Sequence, residues 1–216
     1  VVAVGVETAA QRQALFDFYG ATSNGGGWSS SCSAGGWLTM GASPPAAFCN
    51  SATGPRYSTY NGIRCSAQNG EITQLDLGYC NLIGTLTASL SALTALRVLY
   101  LYANQLTGTV PPQWSVMTAL QDLRLYSNQL TGTLPPQWSA MTALQVLFLH
   151  MNQLTGTLPP QWPEGMRSIL LSGEYCNATC SGVVGVNATC SGTGPTNCMW
   201  MRLWYNCLDL TSLPPI

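Results

Sequence analysis

His150 is the single histidine of this 216-residue chain, so any Ser-His-Asp or Cys-His scheme has to pass through it. Asp122 is the acid within reach in repeat terms, yet no nucleophile elbow and no helix-borne oxyanion site accompanies the two. Asp76 and Asp122 are the carboxylates a glycosidase scheme would recruit. They fall in separate structural units with no cleft between them to raise one pKa, so that chemistry is not expected either. Nine cysteines without one Cys-x-x-Cys pair, and with one histidine, lack the tight ligand spacing of structural zinc. Disulfides are the better reading, and no catalytic residue, cofactor or metal site is expected. Trp114, Trp138 and Trp162 recur at a fixed interval and could stack on sugar rings, but bulky apolar residues at a fixed slot are ordinarily packing.

That interval belongs to a larger pattern. Leu96-Arg-Val-Leu99-Tyr-Leu101 returns 24 residues later as Leu120-Gln-Asp-Leu123-Arg-Leu125, and again as Leu144-Gln-Val-Leu147-Phe-Leu149. One step back lies Ile72-Thr-Gln-Leu75-Asp-Leu77, and a step of 22 forward reaches Met166-Arg-Ser-Ile169-Leu-Leu171. A fixed period carrying L-x-x-L-x-L-x-x-N/C-x-L is the leucine-rich-repeat signature. Leucines two apart on a strand share one face, so they turn inward and their alternates meet solvent. Asn104, Asn128 and Asn152 then stand where the chain leaves the strand and buried peptide groups need partners. Cys80 holds that slot in the first unit and Glu174 in the closing fragment. The reading for Cys80 is a reduced, buried thiol.

The second half of each unit reads Leu106-Thr-Gly-Thr-Val-Pro-Pro-Gln-Trp114, with nearly the same words leading to Trp138 and Trp162. It resembles the plant-type repeats of receptors and polygalacturonase-inhibiting proteins. The block Thr-Leu-Pro-Pro-Gln-Trp-Ser-Ala-Met-Thr-Ala-Leu is more similar still to the promastigote surface antigens of trypanosomatid parasites. The chain departs from that family in having few repeats, no Thr/Pro-rich stalk, and Asn where many members carry Thr. The resemblance implies a surface antigen or receptor-like binding module. It also puts each Trp in the slot of a core leucine. Tyr60-Asn-Gly-Ile-Arg-Cys65 resembles an element of plant-type N-terminal caps, which implies that Cys65 pairs with Cys49 and leaves Cys32 without a clear partner.

The expected fold is therefore a leucine-rich-repeat solenoid: a right-handed superhelix with a parallel sheet on the concave face, a 3-10 or irregular convex side, and disulfide-containing caps. Residues 1-70 form an N-terminal cap with a short helix from Thr8 to Tyr19, closed by Gly20. Residues 71-175 hold four 24-residue repeats and the closing fragment. Residues 176-216, with five cysteines and Asn-Ala-Thr-Cys-Ser-Gly occurring twice, form a Cys-rich C-terminal cap. Asn177 and Asn187 are glycosylation sequons, meaningful for a secreted chain.

Composition narrows the partner. Charged residues make up 7%, lysine is absent and net charge is −1, so no cationic surface exists to neutralise phosphates and nucleic acid is excluded. No run of about 18 apolar residues is present to span a membrane, although the full-length protein could be anchored. A secreted or cell-surface location is expected, with an extracellular protein or glycan as partner.

The outward strand positions vary while the framework does not, and that contrast locates the candidate surface. Asp76, Tyr100, Tyr102, Asp122, Arg124, Tyr126, Phe148 and His150 are its residues, rich in the types enriched at binding hot spots. Tyr102, Tyr126 and His150 are expected in one column, with Tyr100, Arg124 and Phe148 beside it, all contributing little to stability. The alternatives are a glycosylated coat or adhesion role without one ligand, and inhibition of a secreted enzyme.

Overall fold

The computed structural model describes residues 8–23, 28–29, 32, 48–49, 62–66, 68 and 70–155, and the backbone alone of 168–170, 179–181 and 189–191. Its first element, α1 (Ala9–Thr22), starts at a reciprocal cap. The Thr8 hydroxyl accepts from the Gln11 amide, and the Thr8 amide donates to the Gln11 side chain. Gly20 does not end the helix as expected. The chain continues to Thr22, whose buried hydroxyl donates to the Phe18 carbonyl and accepts from the Trp28 indole. Tertiary anchoring there outweighs the weak helix preference of one glycine. Leu15 and Phe18 are fully buried by packing on the first coil.

A six-stranded sheet takes β1 (Ile63–Cys65) from ahead of the repeats and one short strand from each unit after it: β2 (Ile72–Asp76), β4 (Val98–Tyr100), β6 (Asp122–Arg124), β8 (Val146–Phe148) and β10 (Ser168–Leu170). The strands from β2 onward are parallel and in strict register, with Leu75, Leu99, Leu123 and Leu147 side by side. Those leucines and the next ones along, Leu77, Leu101, Leu125 and Leu149, are fully buried. Only β1 is antiparallel, pairing its Ile63 with Leu75. It closes the sheet edge that the first repeat would otherwise expose. Gly62 makes this closure possible at φ +84°, because a Cβ there would collide with the Asp76 carbonyl, while the Gly62 carbonyl accepts from the Asp76 amide.

A second parallel sheet of β3 (Ile83–Thr85), β5 (Gln105–Gly108), β7 (Gln129–Thr133) and β9 (Gln153–Thr155) runs along the Leu-Thr-Gly-Thr segments. The sequence reading left this side irregular. In β5, β7 and β9 one buried leucine, Leu106, Leu130 or Leu154, is followed by alternating threonine and glycine, so the pairing comes from stacked neighbours more than from local pattern. On the far side lie 3-10 helices at Ala88–Ala92, Pro112–Val116 and Pro136–Ala140. Trp114 and Trp138 sit in the latter two, fully buried, with rings parallel and centroids 6.1 Å apart. Their indole N–H groups donate to the Thr87 and Pro111 carbonyls one repeat back. The packing reading of these tryptophans holds; Trp162 lies outside the described residues.

The asparagine ladder forms as expected. Asn104 Oδ1 accepts from the Cys80 and Leu82 amides, and its Nδ2 donates to the Leu77 and Leu101 carbonyls. Asn128 and Asn152 repeat the pattern toward the Leu106 and Leu130 amides. The turn before each rung is left-handed, at Tyr79, Ala103, Ser127 and Met151, with φ between 52° and 56°.

Cys80 is not a free thiol: it forms a disulfide with Cys32. No earlier repeat exists for a ladder amide at this slot to bond, and the Ser29 amide reaches the Cys80 carbonyl instead. The slot is thus used to fasten the cap, and closing a 48-residue separation is worth about 4 kcal/mol in the chain-entropy view. Cys49 pairs with Cys65, as the cap resemblance implied. In the C-terminal region β11 (Thr179–Ser181) and β12 (Thr189–Ser191) pair antiparallel, so the Thr-Cys-Ser triplets of the duplicated words lie against each other. Asn177, Asn187 and Glu174 lie outside the described residues.

Candidate functional site

In the sheet, Asp76, Tyr100, Arg124 and Phe148 are register partners on consecutive parallel strands, and their side chains emerge opposite the buried leucines. Tyr102, Tyr126 and His150 follow two residues on. Their rings stack almost parallel: 4.8 Å and 3° between Tyr102 and Tyr126, 4.6 Å and 7° between Tyr126 and His150. The inter-strand spacing of about 4.8 Å sets this distance. Identical strand geometry then tilts each ring alike, so each covers the residue one repeat back. Tyr102, first in the stack, lies over Gly78, where a Cβ would sit 2.4 Å from its ring. Tyr79 meets the same ring edge-on at 5.4 Å.

In the adjoining column Arg124 and Tyr100 are satisfied by Asp122 beside them. Arg124 donates from Nε and Nη2 to the two carboxylate oxygens of Asp122 at 2.9 and 2.8 Å. Its guanidinium lies over the Tyr100 ring at 4.5 Å and near the Phe148 ring at 5.2 Å. The Tyr100 hydroxyl donates to Asp122 at 2.8 Å. Burial, followed by that hydrogen bond, pushes the Tyr100 phenol up to about 12. Burial also raises the phenols of Tyr102 and Tyr126. All three tyrosines remain neutral hydrogen-bonding groups at physiological pH.

These side chains are half-buried rather than free-standing, which corrects the expectation that they add little to stability. Aromatic pairs of this kind contribute about 0.5–1.5 kcal/mol each beyond their burial. Arg124, offered as a hot-spot cation, has its charge already matched by Asp122. His150 and Asp122 are not brought together as an acid–base pair: the imidazole stacks on Tyr126 and the carboxylate binds Arg124 and Tyr100. Sequence reasoning missed Tyr79, which is 69% exposed, and Met151, which is 68% exposed. Both occupy the left-handed turn position, outside the alternation that marks strand faces. The signal that could have found them is the position just ahead of each ladder residue.

Among the described residues His150 Nδ1 is buried without a hydrogen-bond partner, and burial lowers the imidazole pKa below its usual 6.5. As pH falls through the ordinary histidine range, the unfolded chain takes up its proton first. Stability conferred by neutral His150 is therefore full above that range, falls as pH drops toward the folded-state pKa, and levels off below it. Thermal melts at about pH 7.5 and about pH 5 should show a larger loss for the native chain than for His150→Phe, which keeps the stack and cannot titrate. Equal losses would remove His150 as the cause.

Two disulfides belong to an oxidising compartment, so the chain is a secreted or cell-surface protein. Among the described residues no helix is long and apolar enough to cross a membrane. A search of curated protein sequences finds no match. The Leucine Rich Repeat family model matches residues 95–117, 119–141 and 143–164. Among solved structures, the ectodomain of the receptor kinase SOBIR1 from Arabidopsis thaliana is 22% identical, covering 78% of this chain and 84% of that one at a TM-score of 0.54. A chain of the Arabidopsis thaliana BIR3–SERK2 complex is 26% identical over 73% of this chain and 81% of its own, at 0.53. The Arabidopsis receptor kinase HAESA ectodomain, bound to an IDA peptide hormone ligand, is 21% identical over 77% of this chain and 25% of its own, at 0.58. The register, the asparagine ladder and these likenesses agree that the chain carries leucine-rich repeats and folds as a leucine-rich-repeat solenoid of the plant-ectodomain type.

Proposed function

We propose that this chain is an extracellular binding module that holds a protein or peptide partner on its concave sheet, without catalysis. The observation that carries the reading is the continuous aromatic face from Tyr102 to His150, set on a framework that repeats almost without change. The ring faces are spent on one another, so the partner meets ring edges, hydroxyls and imidazole. That suits peptide groups and side chains better than sugar rings, which need open aromatic faces. HAESA, a structural neighbour, holds a peptide hormone, and the resemblance to trypanosomatid surface antigens supports a place at a cell surface. In this reading residues 1-70 and 176-216 cap the array at 71-175, and Asn177 and Asn187 carry glycans.

The purified chain, displayed against arrays of extracellular proteins, peptides and glycans, should give a selective protein or peptide hit that survives glycan removal. Tyr102→Ala with Tyr126→Ala should then weaken that hit by at least about 2 kcal/mol, as for hot-spot tyrosines. The same pair should lower stability by roughly 1–3 kcal/mol through the lost stacking. A folded double variant that binds undiminished would move the site off the concave face. Silence across all arrays would favour a coat role without one ligand.

A further inference from the structure

At the first-repeat end of the concave face one charge stands without a counter-ion among the described residues. Asp122 is neutralised by Arg124, whereas Asp76 has no cation within salt-bridge distance among the described residues. One of its oxygens accepts from the Gly78 amide at 3.3 Å, and the carboxylate is otherwise unengaged. Two tyrosines stand beside it and a third packs on one of them. Tyr100 is its register partner on the next strand. The Tyr102 ring reaches over Gly78, two residues along, and Tyr79 meets Tyr102 edge-on. Tyr100 and Tyr102 lie tilted to each other at 6.0 Å. The negative charge of Asp76 helps hold the Tyr100 and Tyr102 phenols protonated, which reflects how near it stands to both.

Gly78 is what builds this corner. Any side chain there would drive the Tyr102 ring away from the first repeat and leave Asp76 beside open sheet. The chain also supplies an internal example of the recognition this corner offers. Two repeats further on, Arg124 stands in the same column, its guanidinium held against the Asp122 carboxylate of the neighbouring column and over the rings of Tyr100 and Phe148. At Asp76 the carboxylate and the rings are present, and among the described residues the cation is missing.

We infer that Asp76, with Tyr79, Tyr100 and Tyr102, is a subsite for a cationic side chain, arginine or lysine, of the protein partner. Opposite charge supplies the attraction in a partly dry setting, and the Tyr79 ring, outside the stack and exposed, supplies cation–π contact. This rests on the concave-face reading above and names the chemistry of one contact within it.

The test uses the acetylated, amidated peptide Gly-Arg-Gly as probe and NMR of the chain with ring-labelled tyrosines. Saturable shifts are expected at Tyr79, Tyr100 and Tyr102. The citrulline counterpart, which keeps shape and loses charge, should bind about tenfold more weakly. Asp76→Asn should weaken the arginine peptide similarly, because it keeps the acceptor toward the Gly78 amide and removes the charge. Its thermal midpoint reports that the fold is intact. Equal binding of the citrulline peptide, unchanged binding by Asp76→Asn, or shifts centred on Phe148 would each overturn the subsite. The two readings fail separately. Partner capture lost by the tyrosine variants but kept by Asp76→Asn would sink only the cation subsite. Capture kept by the tyrosine variants would sink the concave-face reading, whatever the peptide titration shows.

Discussion

Replacing Asn104 with Ala should be the most damaging change in the ladder, costing about 3–6 kcal/mol, whereas Asn128→Ala should cost about half as much. The difference follows from who shares each rung. The Leu101 carbonyl accepts from both Asn104 and Asn128, and the Leu125 carbonyl from both Asn128 and Asn152. Removing Asn128 therefore strips one of two donors from each carbonyl and orphans only the Leu106 amide. Removing Asn104 orphans the Cys80 and Leu82 amides and takes from the Leu77 carbonyl the side-chain donor that no other rung supplies. Cys80 has no amide to share the load, since its side chain is committed to Cys32. Urea titrations followed by far-ultraviolet circular dichroism rank the two variants directly. Equal midpoints would show that the shared carbonyls do not set the cost.

Trp138→Ala should cost about 3–5 kcal/mol by cavity formation alone. The side chain is fully buried, stacks on Trp114 and donates to the Pro111 carbonyl, so its removal opens a void and leaves that carbonyl with the Trp114 amide as its remaining donor. Trp138→Leu should recover roughly half of that loss, because leucine refills part of the volume and still cannot donate. The same titration measures both. A loss under about 1 kcal/mol for the alanine variant would mean that the 3-10 face collapses around the gap, and that the tryptophan series is not structural. Partner binding through the concave sheet should persist in whatever fraction stays folded, since Trp138 lies on the opposite side of the coil from Tyr126.

The period of 24, the inward leucines, the asparagine rungs and the outward set from Asp76 to His150 were legible in the chain. Each depends on short-range alternation and on one unit repeating beside itself. A two-residue period decides which face a side chain takes before any neighbour is known, and repetition guarantees that like residues align. Only the tertiary structure decided what those aligned residues do to one another. Arg124 is spent on Asp122, the tyrosine faces are spent on Tyr126 and His150, and Tyr79 joins the surface from a turn. Cys80 is the clearest case, because the repeat assigned it a ladder slot while its partner Cys32 lies in a cap without a repeat to align it. Contacts between units of different kinds, and ring orientations set across the 4.8 Å spacing of stacked strands, have no local pattern to announce them. They follow from which groups the folded chain leaves within reach.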